Sequence, residues 1–279
     1  EQRHQVEIRF VVEAALEPRL SAEARLSRSV RLFAVGGRDY QPPARSELGA
    51  RFGNPDLPLA SSTQLAFGES VTLPTRTRVE LTAFSKWLDF LPTATSAAQP
   101  EQAQGLVPSG EGRAFGAQLF VRQPEVGGFS GWLSATLSRS ERRDDDGSVR
   151  LSDYDAPLVL AVAATQRLDS WRFGGRLRFA SGAPRTPVTG AYFDVTAQRY
   201  APLLGAHNSE RLRDFFQLDL RIDRRFELDA DTALELYLDA LNVTFRQNQE
   251  ELAYSGDFSR VGSVTGLPPL ALVGVSLER

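Results

Sequence analysis

The chain has no cysteine, no methionine, one lysine (Lys86) and two histidines, His4 and His207, far apart in sequence. Without cysteine there is no disulfide framework and no thiolate metal site. Two distant histidines do not make a histidine-based metal cluster, so no metal and no cofactor are expected. No run of about 18 apolar residues occurs, which excludes a transmembrane helix and leaves a transmembrane barrel open. Basic residues do not outnumber acidic ones: the net charge is −3 and the pI about 5.6. Arginines alternate with Asp and Glu instead of clustering, so the concentrated positive surface that phosphate recognition needs is missing, and no nucleic-acid partner is expected. Neither a G-x-x-x-x-G-K loop nor a strand-linked G-x-G-x-x-G occurs. The first residue is Glu1 and no methionine follows, so the chain is expected to be part of a longer translation product whose leader was removed or lies upstream.

What is present is alternation. In residues 214–243, Phe216, Leu218, Leu220 and Ile222 alternate with Gln217, Asp219, Arg221 and Asp223. After the polar break at residues 229–231, Leu234, Leu236 and Leu238 alternate with Glu235, Tyr237 and Asp239. A period of two predicts strand, and a polar break between two such runs predicts a hairpin. One face is aliphatic or aromatic, and the other is densely charged with both signs.

The rest of the chain repeats this pattern. Residues 6–26 keep one parity throughout, and Pro18 fits either an irregular point in one long strand or a turn. Strands are expected at 30–40, 64–73, 77–87, 114–122, 129–139, 158–166, 171–181 and 270–279. The connections alternate between short ones of roughly two to five residues and long ones of roughly 15 to 30. Outer-membrane barrels segregate loop lengths in this way, with short periplasmic turns and long external loops. A turn at Pro18 breaks that alternation, so one long strand is preferred there, and the count is about eleven.

Both faces then have a reason. In lipid every backbone N–H and C=O must be paired internally, which a closed sheet achieves. Leu, Val, Ala and Phe face hydrocarbon, where a charge costs roughly 2–4 kcal/mol at the midplane. Arg, Asp and Glu face the lumen, where they can pair. Trp87, Trp171, Phe129 and Phe179, near strand ends, suit aromatic girdles. The fold class is all-β, an antiparallel transmembrane β-barrel, and the localisation is the bacterial outer membrane.

Several segments carry a family resemblance. Tyr40-Gln41-Pro42-Pro43 followed by Phe52-Gly53-Asn54-Pro55-Asp56-Leu57 resembles the loop of TonB-dependent outer-membrane receptors in which an Asn-Pro-x-Leu element precedes a strand. Gly112-Arg113-Ala114-Phe115-Gly116, Tyr154-Asp155-Ala156-Pro157, Phe179-Ala180-Ser181-Gly182-Ala183-Pro184, Leu241-Asn242-Val243 and Gly266-Leu267-Pro268-Pro269 are similar to that family in order and spacing. The resemblance implies a 22-stranded barrel of which residues 1–279 form the C-terminal half, with the plug domain and TonB box absent from the chain. It implies import of a large scarce nutrient of siderophore, cobalamin or oligomer type. The implied partners are outer-membrane lipid, the other barrel half and plug, and the TonB complex acting through that plug. The chain departs from the family in ending at Arg279 where an aromatic is usual.

Ligand contacts are expected in the external loops, at Tyr40, Arg51, Asn54, His207 and Arg211, because they are polar or aromatic and lie in or beside those loops. His207 with Ser209 also reads as a base and nucleophile, but no third orienting group is visible, so the chain is expected not to be an enzyme. Asp144-Asp145-Asp146-Gly147-Ser148 resembles the start of a calcium loop without its later glutamate, and an exposed acidic tip is the expectation. The alternatives are a passive porin-like barrel, a soluble β-rich binding module and a barrel hydrolase.

Overall fold

The computed structural model describes residues 14–49, 53–99, 104–229 and 231–278. The first strands are β1 (Arg19–Arg25), β2 (Val30–Gln41), β3 (Ala60–Thr72), β4 (Arg78–Ala94), β5 (Leu106–Val126) and β6 (Phe129–Arg143). After the short β7 (Val149–Leu151) come β8 (Leu158–Leu168) and β9 (Trp171–Ala180). The next stretch holds β10 (Pro184–Arg185), β11 (Val188–Asp194), β12 (Arg199–Leu204) and β13 (Glu210–Arg211). The last strands are β14 (Phe215–Glu227), β15 (Ala233–Leu241), β16 (Gln249–Tyr254), β17 (Val261–Thr265) and β18 (Leu270–Glu278).

Eleven of these form one antiparallel wall in the order β1-β2-β3-β4-β5-β6-β8-β9-β14-β15-β18, with β7 attached to β6. Each wall strand pairs with the next wall strand in sequence, which is the meander of an up-and-down barrel. Among the described residues the outer edges of β1 and β18 pair with nothing, so the wall is an open arc.

The tight connections lie at one end of the arc. Between β5 and β6, Gly127 and Gly128 have φ of 60° and 80°, the mirror-type turn whose twist matches a hairpin. A Cβ on Gly128 would meet the Arg167 carbonyl at 2.4 Å. Asp169 (φ 51°) turns the two-residue link from β8 to β9. At the other end the links are long, and they are more ordered than the sequence suggests. β4 and β5 run on to Ala94 and back from Leu106. Two connections read as loops contain the ribbons β11–β12 and β16–β17.

The expected long strand at 6–26 is shorter within the described residues. Its ladder begins at Arg19 opposite Gly37, and residues 14–18 are not strand; the remainder lies outside the described residues. Proline has no N–H to donate. The Pro18 carbonyl still accepts from Arg38 N at 3.1 Å, and the Glu17 side chain accepts the Tyr40 N–H at 3.1 Å, so one backbone bond and one side-chain bond hold this segment to β2.

Burial is inverted relative to a soluble sheet. Among the described residues the buried hydrophobics are Leu57 and Ala233, whereas Ser61, Ser62, Ser70, Glu141, Asp155, Gln217, Asp219, Asp223 and Asn242 are buried polar groups. Large apolar side chains stand exposed from β1 to β18, among them Leu20, Leu65, Phe67, Leu119, Leu137, Leu220, Leu236 and Val273. Register aligns them on one face: Phe67 faces Ala83, Ala83 faces Ala117, Ala117 faces Leu137 and Leu137 faces Leu158. On β6 this band runs from Phe129 to Leu137, about 26 Å of strand at ~3.3 Å per residue. With a tilt of about 40° it spans about 20 Å along the barrel axis, most of the ~25 Å apolar band of a membrane barrel. The same register puts Trp87, Trp171, Phe129 and Phe179 on this face, toward its two rims.

Candidate functional site

The opposite face carries a charge ladder across β9, β14 and β15. Arg176 stands opposite Asp219 and Arg172 opposite Asp223, while Arg221 stands opposite Asp239. Arg176 donates to Asp219 from two nitrogens, at 3.0 and 2.7 Å. Arg172 bridges Asp223 at 3.2 Å and Glu235 at 2.6 Å. Arg221 bridges Asp223 at 2.7 Å and Asp239 at 2.9 Å, with its guanidinium 4.0 Å from the Tyr237 ring centre. Gln217 accepts from Arg178 at 2.8 Å and donates to Asp219 at 2.7 Å. The carboxylates are covered by guanidiniums that are themselves 37–50% exposed. This is a wet, paired lining and not a dry core, and alternation sets it up, because a period of two sends every charge to one side.

At the loop end a clasp joins the connection after β9 to the one after β6. Arg211 donates to the carbonyls of Asp155 and Gly182, each at 3.0 Å, and pairs with the buried Asp155 carboxylate. Asp155 also accepts the Ser140 N–H at 2.6 Å. Asn208, in the left-handed region at φ 55°, donates to the Leu151 carbonyl at 2.9 Å and to Asp153 at 2.5 Å. At residue 182 only glycine fits, since a Cβ would lie 1.8 Å from the Leu212 carbonyl.

The acidic tip is tied to its neighbours as well. Asp144 accepts from Arg150 at 2.6 Å. Asp145 accepts from Ser109 Oγ at 2.5 Å and from Ser96 Oγ and N at 2.6 and 2.7 Å. These donors favour its charged form and lower its pKa to about 2. Asp146 is lowered too, chiefly by Ser148.

The residues expected to touch ligand fall in different places. Asn54 Nδ2 is spent on the Leu106 carbonyl at 3.0 Å, and Arg211 is spent in the clasp. Tyr40, the β2 residue before Gln41, has the Arg38 guanidinium 5.3 Å from its ring centre and lines an apolar recess of about 390 Å³ with Leu59 and Phe90. His207 is half-exposed, with Nε2 3.6 Å from Asp153. Asp153 in turn lines a cleft of about 340 Å³ where three external loops meet, together with Glu47, Arg142, Arg150 and Tyr154. Arg51 lies outside the described residues. No hydrogen bond joins His207 to Ser209 among the described residues; the Ser209 N–H goes to the Ala206 carbonyl. Asp155 and Asn208, which hold the loops together, carried no chemical motif in the sequence; Asp155 lies in the Tyr154-Asp155-Ala156-Pro157 segment of the resemblance, and Asn208 is an asparagine able to adopt a left-handed backbone.

No family model matches the chain, and no curated protein matches it. Solved structures do. The chain is similar to FpvA of Pseudomonas aeruginosa bound to heterologous pyoverdines, with 13% identity over 94% of this chain and 32% of that one and a TM-score of 0.66. It is similar to the ferric-catecholate import receptor Fiu of E. coli K12 in its closed form, with 12% identity, 93% and 34% coverage and a TM-score of 0.65. It is similar to the unliganded ferric citrate transporter FecA, with 15% identity, 94% and 38% coverage and a TM-score of 0.66. These neighbours are TonB-dependent outer-membrane receptors, and at such identities the likeness is one of fold. The chain has the all-β wall of that barrel class and spans about a third of the neighbours' length.

Proposed function

We propose that this chain is wall and external loops of a TonB-dependent receptor barrel in the outer membrane of a Gram-negative bacterium, forming its C-terminal half. The observation that carries this is the inverted burial: apolar side chains exposed along the whole arc, charged ones paired on the other face. In water such an apolar surface is an aggregation liability, and in a bilayer it is the solvated face. The two open edges support the rest of the reading. Unpaired strand edges are not tolerated against hydrocarbon, so the remaining staves come from other sequence, together with a plug lodged in the lumen.

The function is then transport. The wall supplies the conduit, and energy reaches a plug from the TonB complex. The ligand is a large scarce nutrient of siderophore, cobalamin or oligomer type, received at the cleft between the external loops. The named neighbours act on ferripyoverdine, ferric catecholate and ferric citrate, and this chain is assigned to none of those solutes. No catalytic role is proposed for this chain; the Ser209 N–H bonds the Ala206 carbonyl.

The test is expression of the full reading frame in an outer membrane. Heat-modifiable migration in SDS and a requirement for detergent are expected. A monodisperse protein in plain buffer would sink the proposal. For catalysis, a Ser209→Ala variant is expected to match the wild type in an esterase assay; lost activity would restore the hydrolase reading.

A further inference from the structure

The cleft between the external loops has an uneven charge pattern. Two of its arginines are already engaged by acids of the same lining. Arg143 pairs with Glu111 at 3.6 Å, and Arg150 pairs with Asp144 at 2.6 Å and Asp153 at 3.5 Å. Arg142 and Glu47 complete the charged lining. Among the described residues neither of these two forms an ion pair.

Arg142 is held in place by uncharged contacts. It stands opposite Gly112 on β5. A Cβ at residue 112 would meet Arg142 Nη1 at 2.6 Å and its Cδ at 3.2 Å, so the side chain occupies the space that the glycine leaves open. Nη1 donates to the Glu141 carbonyl at 3.1 Å. The Glu141 carboxylate is taken by Arg113 and Arg139, at 2.7 and 2.6 Å. A guanidinium has five N–H donors, and most of these remain for a partner from outside. Arg142 lies beyond the apolar band. Burial, and after it the charge of Arg150, hold its pKa below the usual arginine range. A partly buried cation beside a like charge is stabilised by an incoming anion. Glu47 has the opposite need. It accepts the Ala44 N–H at 2.6 Å and has no cationic side chain at ion-pair distance among the described residues.

The rest of the lining is apolar where it counts. Pro42, Pro43 and Leu91 lie between these charged elements in the same cleft, and Tyr154, 92% exposed, stands at its rim. The volume of about 340 Å³ is at the small end for a ligand pocket.

We propose that this cleft receives a zwitterionic oligopeptide of a few residues, its terminal carboxylate on Arg142 and its terminal ammonium on Glu47. The proposal rests on the transport reading above and narrows the solute to the oligomer type. A guanidinium fork matches a carboxylate bidentately, and the apolar residues between the two charges receive the peptide chain. The charge pattern selects against the other solutes. A multiply anionic chelate would meet one unpaired arginine and four carboxylates, and a simple cation would leave Arg142 without an anion.

The test uses the full-length protein purified from an outer membrane in mild detergent, and the probe is a pool of tripeptides of random sequence. Native mass spectrometry should show the free pool retained at least tenfold over the same pool with amidated C-termini, and at least tenfold over the same pool with acetylated N-termini. A polar group left unpaired in the site supplies that discrimination. Arg142→Gln should erase the first preference and keep the second, and Glu47→Gln should do the reverse. Loss of loop packing would lower retention of all three pools together, so the crossed pattern reports the two contacts themselves. The wild-type comparison decides the matter even if a variant fails to assemble. No retention of the free pool, equal retention of free and capped pools, or a preference that survives its own variant overturns the proposal. Heat-modifiable migration separates the two failures: without it in the wild type the outer-membrane reading falls, and with it but no preference for free termini only the peptide assignment falls.

Discussion

Arg176 and Asp219 are direct cross-strand partners on β9 and β14, joined by two hydrogen bonds at 2.7 and 3.0 Å. The carboxylate is nearly buried and the guanidinium half-exposed. Asp219 also accepts the Asn242 N–H at 2.9 Å, where β15 ends, and the Gln217 amide at 2.7 Å. It is thus a shared acceptor for three donors, and Arg176 is one donor among them.

That asymmetry gives the first prediction. Asp219→Ala leaves three donors short of an acceptor, at about 1–3 kcal/mol for the buried ones. Arg176→Ala removes a half-exposed partner, at about 1 kcal/mol or less after solvent screening. Urea unfolding of the assembled barrel should show the larger shift for Asp219→Ala; the reverse order would remove Asp219 as the hub.

Neighbours on one strand should answer oppositely to the same change. Leu119 faces outward and Gln118 the lumen. Leu119→Arg is expected to destabilise the folded barrel by about 2–4 kcal/mol, and Gln118→Arg by under about 1 kcal/mol. Folding into bilayers over a urea series measures both, and similar penalties would contradict the assignment of faces.

The clasp should be separable from the wall. Arg211→Ala strands the buried Asp155 carboxylate and releases the connection after β9 from the one after β6. Local opening by about 2 kcal/mol is expected. Amide exchange around residues 206–212 should quicken by more than tenfold while β14 and β15 stay protected. Unchanged exchange would mean that Asn208 alone holds the loops.

Asp145 provides a titration. Its pKa is depressed in the folded state, so its hydrogen bonds contribute fully above the ordinary aspartate range and are lost as pH falls toward about 2. Carboxyl NMR should place the wild-type midpoint near 2 and move it up in Ser109→Ala, since Ser109 is the largest cause. A midpoint unmoved by that substitution would show that Ser109 does not bond there.

Much of the wall was legible in the sequence. Parity assigned Leu218, Leu220, Leu234 and Leu236 to the apolar face and Asp219, Arg221, Glu235 and Asp239 to the other, and the structure keeps that division. The eleven strands and the alternation of link lengths were also readable. Less of the site was. Asn54 and Arg211 were singled out because they are polar and lie in loops; the bonds that each makes within the protein are not announced by residue type. Pro18 was read as an irregular point in one long strand because parity continues past it, but among the described residues the ladder begins at Arg19, and parity alone does not require a ladder partner.

The sequence by itself determined which side of the sheet each residue faces, because a period of two is a local property of the chain. Tertiary structure alone decided which charge meets which. Pairing Arg172 with Asp223 and Glu235 depends on register between strands up to 63 residues apart. Register is fixed by turn geometry and by the simultaneous fit of both faces, and neither is written in any one segment.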